Sequence, residues 1–309
     1  MARLGGERAF TRSLARFFGT ARGVRVPIGD DAAVVDNHGH QSVLCCDPVI
    51  AGVHFEPGED LRRVGRKAVN RNLADLAAMG ALPDWLLVSL VLPPHLRATA
   101  RRRLLLGIRA AAASAGALVV GGDVATARAP LVVTVAAVGH CRARVLTRAG
   151  ARAGDALHVT APLGGSRGGH HLDFRPPLLA GAWLAQRGSP VTAAIDVSDG
   201  LLLDLATMLE ASGGLGAELF AESIPVSAAA RARAGGDRAA ALRAALGDGE
   251  DHCLLFAVAR ERRLAPGGPL TAAARRPIGR VLARPGLWLV TADGGRRRLP
   301  PAGWQHAVG

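Results

Sequence analysis

Tyrosine is absent from this 309-residue chain, lysine occurs once, at Lys67, and aromatic residues make up only 4% of it. Arginine and alanine are correspondingly abundant, a bias that a GC-rich genome produces and that carries little functional weight. The runs Arg101 to Arg103 and Arg296 to Arg298 have no interleaved aromatics and no recognisable reading helix. The net charge of +13 therefore reads as solvated surface that draws in small anions, and no nucleic-acid partner is expected. Cysteine is sparse too. Cys45 and Cys46 are adjacent while Cys141 and Cys253 stand far apart, which matches neither a disulfide framework nor a zinc spacing and points to a reducing compartment. Long apolar runs are missing, since Asp, Pro or Arg interrupts each before membrane length, and MARLGGERAF lacks the features of a secretory signal. The expectation is a soluble cytoplasmic protein without a membrane partner. The phosphate-binding signatures are also lacking: there is no P-loop, no protein-kinase glycine loop and no strand-borne GxGxxG.

What is present is ample apolar material, 49% of residues, for a large core. Helical spacing is seen over 7–18, 60–79 and 96–115, with Gly80 a natural stop for the second. Strand-like runs occupy 42–47, 85–93, 117–123 and 130–140. A second cycle of strand and helix patterns begins near Arg148, with strand-like 155–162, helical 178–188, a strand over 192–197, a helix over 201–211, a strand over 216–221, an Ala-rich helix and a final strand over 253–258. The alternation predicts an α/β (α+β) fold in two domains, 1–147 and 148–309.

Acids with small or apolar neighbours are the informative feature: Asp30 and Asp31, Asp47, Asp75, Asp123, Asp196 and Asp199, then Glu250 and Asp251. A carboxylate is costly to bury alone, and a hard divalent ion that bridges such acids to phosphates is one answer. Turn and helix-cap roles are the other, and Asp199, just before a helix, fits a cap equally well. As a set, GDD, GGD and DVSDG combine acids with glycines that let a ligand approach the backbone. GGSRGG at 164–169 reads as a mobile loop, and Arg148 as a candidate phosphate clamp.

The successive blocks IGDDAAVV, CCDPVIAGVHF, KAVNRNLADLAAMGALP, GGDVATARAPLVVTVAAVGH, LTRAGARAGDALHVT, AAIDVSDGLLLDL, GDGEDHCLLF and PPAGWQH resemble, in order, the motifs of the thiamine-monophosphate kinase family of the aminoimidazole-ribonucleotide-synthetase-like superfamily. The resemblance runs from about residue 5 to 306. It implies an N-terminal sheet domain that dimerises, a C-terminal α/β domain folded over the nucleotide, and Mg2+-dependent transfer of the γ-phosphoryl of ATP to thiamine monophosphate. Carried over motif by motif, Asp30, Asp47, Asp75, Asp123, Asp196 and Asp199 would hold magnesium. Gly122, Asp123, Arg148 and Ser198 would touch ATP, and His54, Glu250 and Trp304 would line the thiamine phosphate site. Such chemistry needs alignment and charge neutralisation rather than a general base.

The chain also departs from the family pattern. Cys45 and Cys46 stand where hydroxyl residues usually assist magnesium, and thiols are poor ligands for that ion; Val124 follows GGD in place of Thr, and His252 and Cys253 replace an aromatic and acidic pair. Two alternatives stay open at this point: another ATP-dependent member of the superfamily with a different acceptor, and a catalytically silent nucleotide-binding paralogue.

Overall fold

The computed structural model describes residues 7–20, 22–37 and 40–305; His306, the last residue of the closing motif, lies outside them. The first cycle comprises α1 (Glu7–Phe18), β1 (Val24–Val26), β2 (Ala33–Asn37), β3 (His40–Ile50), α2 (Leu61–Ala78), β4 (Leu82–Leu92), α3 (Ala98–Ala115), β5 (Leu118–Thr126) and β6 (Val132–His140). Its strands make a six-stranded sheet in the order β1-β2-β3-β6-β4-β5. Strands β4 and β5 run parallel, joined through α3, as a parallel pair requires.

The second cycle comprises β7 (Ala156–Val159), α4 (His170–Asp173), α5 (Leu178–Leu184), β8 (Val191–Asp196), α6 (Leu201–Ala211), β9 (Gly216–Phe220), α7 (Ala228–Arg233), α8 (Arg238–Gly247), β10 (Leu254–Val258), β11 (Gly279–Leu282), β12 (Gly286–Val290) and β13 (Arg296–Leu299). These strands form a seven-stranded sheet, β13-β12-β9-β11-β7-β10-β8. The mixed α/β class read from the pattern is what the fold has. The Ala-rich helix is broken in two because Gly235 and Gly236 take φ of 57° and 95°, conformations glycine enters at no steric cost.

Helix α2 is the element on which the two sheets meet. Asp60 caps its start by accepting the Arg62 N–H at 2.9 Å, which satisfies one of the orphan donors of the first turn. Gly80 ends it with φ of 73°. Its apolar side chains Val64, Ala68, Leu73, Leu76 and Ala77 are fully buried, and it touches β3 and β6 of one sheet and β8 of the other. Two helices approach it backbone to backbone. A Cβ on Gly65 would sit 2.3 Å from Leu104 O of α3, and one on Gly181 of α5 would sit 2.0 Å from Ala77 O. Any side chain at either position would push a helix away, so glycine is what lets α2 be clamped on both flanks.

Strand β10 shows how the second sheet serves two cores. Leu254, Phe256 and Val258 join the cluster around α2, while Leu255 and Ala257 join the cluster under α6 and α8. The two-residue period of a strand makes that division automatic. All five side chains are buried, so the run reads as continuously apolar.

Candidate active site

The face of α2 turned toward the second sheet carries Lys67, Arg71 and Asp75. A spacing of four residues stacks side chains along one helical face, so one rigid element presents an ammonium, a guanidinium and a carboxylate in a row.

At the Asp75 end, carboxylate oxygens of Asp31, Asp75 and Asp196 lie within 4.8 Å of one another. They come from the turn before β2, from α2 and from the last residue of β8. Burial pushes the Asp31 and Asp196 carboxyls up to about 6, with the charge of Arg148 opposing it. Burial, and then Asp47, Asp196 and Asp31, push Asp75 well above the usual carboxylate range. Like charges this close disfavour joint ionisation. The Asp31 side chain is only 1% exposed, and its Oδ2 is a buried oxygen without a hydrogen-bond partner. An unpaired buried carboxylate oxygen amid two further acids has the chemistry of a hard-cation site.

Arg148 is committed to this cluster. Its Nη2 and Nε donate to Asp31 Oδ1 at 2.5 and 3.1 Å, its Nη1 to Gly29 O at 3.2 Å, and its backbone N–H reaches Asp30 at 3.2 Å. Burial pushes Asp30 up to about 6, and Asp31 adds to the rise. Asp47, on β3, accepts from Arg71 Nε at 2.8 Å, and its N–H donates to Asn72 Oδ1 at 2.9 Å. Asp123 stands on β5 opposite Ser89 and is not one of the three clustered carboxylates. Beside it Gly122 has φ of 149° with space for no side chain, since a Cβ would lie 1.8 Å from Val88 O.

Next to the carboxylates a cleft of about 340 Å³ is lined by His54, Arg71, Arg167, Ser198, Asp199, Glu250, His252 and Trp304 among others. Five residues singled out from the sequence, His54, Ser198, Asp199, Glu250 and Trp304, therefore share one wall system. His54 is buried, and its Nδ1 accepts the Ile50 N–H at 3.0 Å. The Trp304 N–H donates to Asp199 O at 2.9 Å, and Gly303 makes this possible because a Cβ there would fall 2.4 Å from the same oxygen. The Asp199 and Gly200 N–H groups both donate to Asp204 Oδ2 at 3.0 Å. Asp204 thus holds the α6 entrance, so Asp199 is not needed there as a cap.

Glu250 and His252 are non-glycine residues in the left-handed region, at φ of 61° and 47°. Strain of this kind persists only where surrounding contacts enforce it. Here the Glu250 N–H donates to Ser198 O at 2.6 Å, and Lys67 Nζ donates to Glu250 Oε1 at 2.5 Å. Lys67 is fully buried and spends its other donors on His54 O at 2.5 Å and on His171 Nδ1, 2.9 Å away. His252 stacks on Phe174 with centroids 4.3 Å apart and sits 3.3 Å from Asp196 Oδ2. Burial depresses its pKa to about 3, so it is neutral.

The GGSRGG segment differs from the mobile loop expected of it. Gly164 and Gly165 N–H groups donate to the buried Asp251 carboxylate at 2.7 and 3.0 Å, and Ser166–Gly168 form a single 3-10 turn. Lys67, Arg71 and His171 are not among the candidate site residues read from the sequence; Asp31 is among its informative acids but outside the magnesium set that the resemblance implies, and His252 enters there only as a departure from the family pattern. The second acid of GDD and the four-residue spacing of Lys67, Arg71 and Asp75 were the available signals.

Residues 29–141 match the N-terminal domain of AIR synthase related proteins. Over 297 residues the chain is 40% identical to the thiamine-monophosphate kinase of Rhodopirellula baltica, covering 92% of both. The chain belongs to the thiamine-monophosphate kinase family. Solved structures of this family superpose on it closely. AaThiL complexed with AMPPCP and TMP does so with a TM-score of 0.80 and 30% identity over 97% of each chain. The thiamine-monophosphate kinase of Stenotrophomonas maltophilia K279a gives 0.71 and 30%, covering 93% of this chain and 96% of that one.

Proposed function

We propose that this chain transfers the γ-phosphoryl group of ATP to thiamine monophosphate, giving thiamine diphosphate by direct in-line transfer. The observation that carries the reading is the convergence of Asp31, Asp75 and Asp196 beside a cleft lined by His54, Glu250 and Trp304. Those three carboxylates would hold Mg2+, with Asp30, Asp47 and Asp199 flanking them and Asp123 on β5 as a further ligand. The ion supplies neutralisation of the triphosphate charge, the main requirement of phosphoryl transfer.

The chain's own residues supply the remainder. Ser198 and the Gly122 backbone contact the nucleotide. Arg148 fixes Asp31 and Asp30 and lends a permanent positive charge to the triphosphate side. The indole of Trp304, 55% exposed at the cleft, offers a stacking surface to a cationic heteroaromatic ring. Glu250 complements that ring's charge, and Lys67 sets the carboxylate's position. The accepting phosphate oxygen is already ionised near neutral pH, so no side chain has to take a proton, and orientation is the protein's principal contribution.

We place the domain boundary near residue 147 and a homodimer interface on the first sheet. Leu118, Val119, Val120 and Val124 of the edge strand β5 are 45–64% exposed, next to Trp85 and Leu87 of β4. An apolar, unpaired sheet edge of this kind is normally covered. No helix among the described residues is long and apolar enough to cross a membrane; a cytoplasmic location is part of the proposal.

Incubation of the chain with ATP and Mg2+, with and without thiamine monophosphate, and separation of the thiamine esters by chromatography tests the reading. Thiamine diphosphate and ADP should form in equal amounts. ATP binding without turnover, or turnover only with another acceptor, would overturn it.

A further inference from the structure

Three cations border the region between the carboxylate cluster and the cleft, and the structure distinguishes them by what they have left to offer. Lys67 is fully buried, with Nζ committed to His54 O, His171 Nδ1 and Glu250 Oε1. Arg148 has Nε and Nη2 on Asp31 and Nη1 on Gly29 O. Arg71 alone of the three is only partly engaged. Its Nε donates to Asp47 Oδ2 at 2.8 Å, and its terminal nitrogens make no hydrogen bond to the described residues. The side chain is 19% exposed, and that exposure is to the cleft, whose wall it forms with Ser198, Asp199 and Glu250.

We propose that Arg71 anchors the phosphate of the acceptor, with Asp47 holding the guanidinium so that its outer edge faces the cleft. This rests on the reading of the site as a thiamine-monophosphate kinase. A guanidinium held through Nε keeps its two terminal nitrogens for a bidentate grip on phosphate oxygens. The position along α2 suits the task. A rise of about 1.5 Å per residue sets Arg71 about 6 Å along the axis from both Asp75 and Lys67. The acceptor phosphate on Arg71 then lies between the carboxylates on the donor side and Glu250, which faces the ring. The other arginine in the cleft, Arg167, is 75% exposed and lies 3.7 Å from Asp248; it is too free to fix a reacting group. Arg71 also offsets the repulsion between the two phosphates as they approach, without depending on an ion.

Calorimetric titration of the whole chain with thiamine monophosphate and, separately, with thiamine distinguishes a phosphate anchor from a merely structural residue. Arg71→Gln should weaken thiamine monophosphate binding by about 10- to 100-fold, the worth of charge-assisted hydrogen bonds, and leave thiamine binding within about twofold. KM for thiamine monophosphate should rise while KM for ATP holds, and Arg71→Lys should recover part of the loss. Equal weakening of both ligands, or unchanged binding of the phosphate ester, would overturn the assignment. A wild-type chain that binds neither ligand overturns the functional reading itself, whereas wild-type turnover with an indifferent Arg71→Gln variant overturns only the role of Arg71.

Discussion

Replacing Asp75 by Asn should abolish turnover and at the same time make the metal-free protein more stable at neutral pH. Asp31, Asp75 and Asp196 crowd their oxygens within 4.8 Å, with Asp47 and Asp30 nearby. Among the described residues the cations paired with acids of this group are Arg148 and Arg71, since His252 beside Asp196 is held neutral by burial. A carboxyl whose pKa is raised from 3.8 to about 6, as in Asp31 or Asp196, holds its proton more tightly in the folded state than in the unfolded one. Its folded state is favoured below pH 4, and that advantage is lost as pH rises toward 6. Each such group costs roughly 3 kcal/mol at pH 7, and because the members of the cluster repel one another their costs do not add. Asp75→Asn deletes the carboxylate that both others face, so about 1–3 kcal/mol should be regained. Urea unfolding in EDTA at pH 7.5 and pH 4.5 measures this directly. The variant should be the more stable at pH 7.5, and the two proteins should converge at pH 4.5, where the wild-type cluster is protonated. Added Mg2+ with a non-hydrolysable ATP analogue should raise the melting temperature of the wild type and leave the variant unmoved. A variant less stable than wild type in EDTA at pH 7.5, or one that keeps its activity, would refute the cluster as an electrostatically strained cation site.

Lys67→Met should cost about 3 kcal/mol of stability by urea unfolding, because it removes the buried partner of Glu250 and strands three acceptors; the double variant with Glu250→Gln should recover part of it. Val120→Asp, on the outer strand of the first sheet, should shift sedimentation velocity toward the monomer, since a charge in an apolar interface is costly to desolvate.

Why some of this was legible in the sequence and some was not follows from the range over which each signal acts. Helix α2 announces itself through its apolar spacing, its Asp60 cap and its Gly80 stop, all local. Strand β10 shows as an unbroken apolar run because both its faces are covered. Strand β13, with Arg296, Arg297 and Arg298 exposed and only Leu299 buried, carries no such signal, and only pairing with β12 makes it a strand. The site behaves likewise. Motif resemblance carried His54, Ser198, Asp199, Glu250 and Trp304 to positions that the fold brings together in one cleft. Asp31 stands among the acids read from the sequence but outside the magnesium set that the resemblance implies, because its neighbour Asp30 is equally acidic and only the fold decides which of the two turns toward Asp75 and Asp196. Lys67 looked like a leftover of an arginine-rich composition; its meaning depends on Glu250, 183 positions away along the chain.

The two thiols that break the family pattern are explained by the same geometry. Cys45 Sγ donates to Asn72 O at 3.3 Å, and burial, with Asp75 and Asp47 nearby, raises its pKa well above the usual thiol range, so it stays protonated. Cys46 is exposed, and burial of its sulfur and the charge of Asp47 push it upward as well. A protonated thiol gives magnesium nothing, and the charge it fails to manage at Asp47 is met by the Arg71 guanidinium instead. A substitution that removed Arg71 would leave Asp47 without its paired cation, next to thiols that cannot help recruit an ion. The consequences of Cys45 and Cys46 are therefore to be sought in their interaction with Arg71: restoring hydroxyls with Cys45→Ser and Cys46→Thr should change magnesium dependence little while Arg71 is present and more when it is replaced by Gln, as measured by titrating Mg2+ against activity in the four proteins. Equal effects in both backgrounds would mean that the guanidinium and the residues at 45 and 46 serve Asp47 independently.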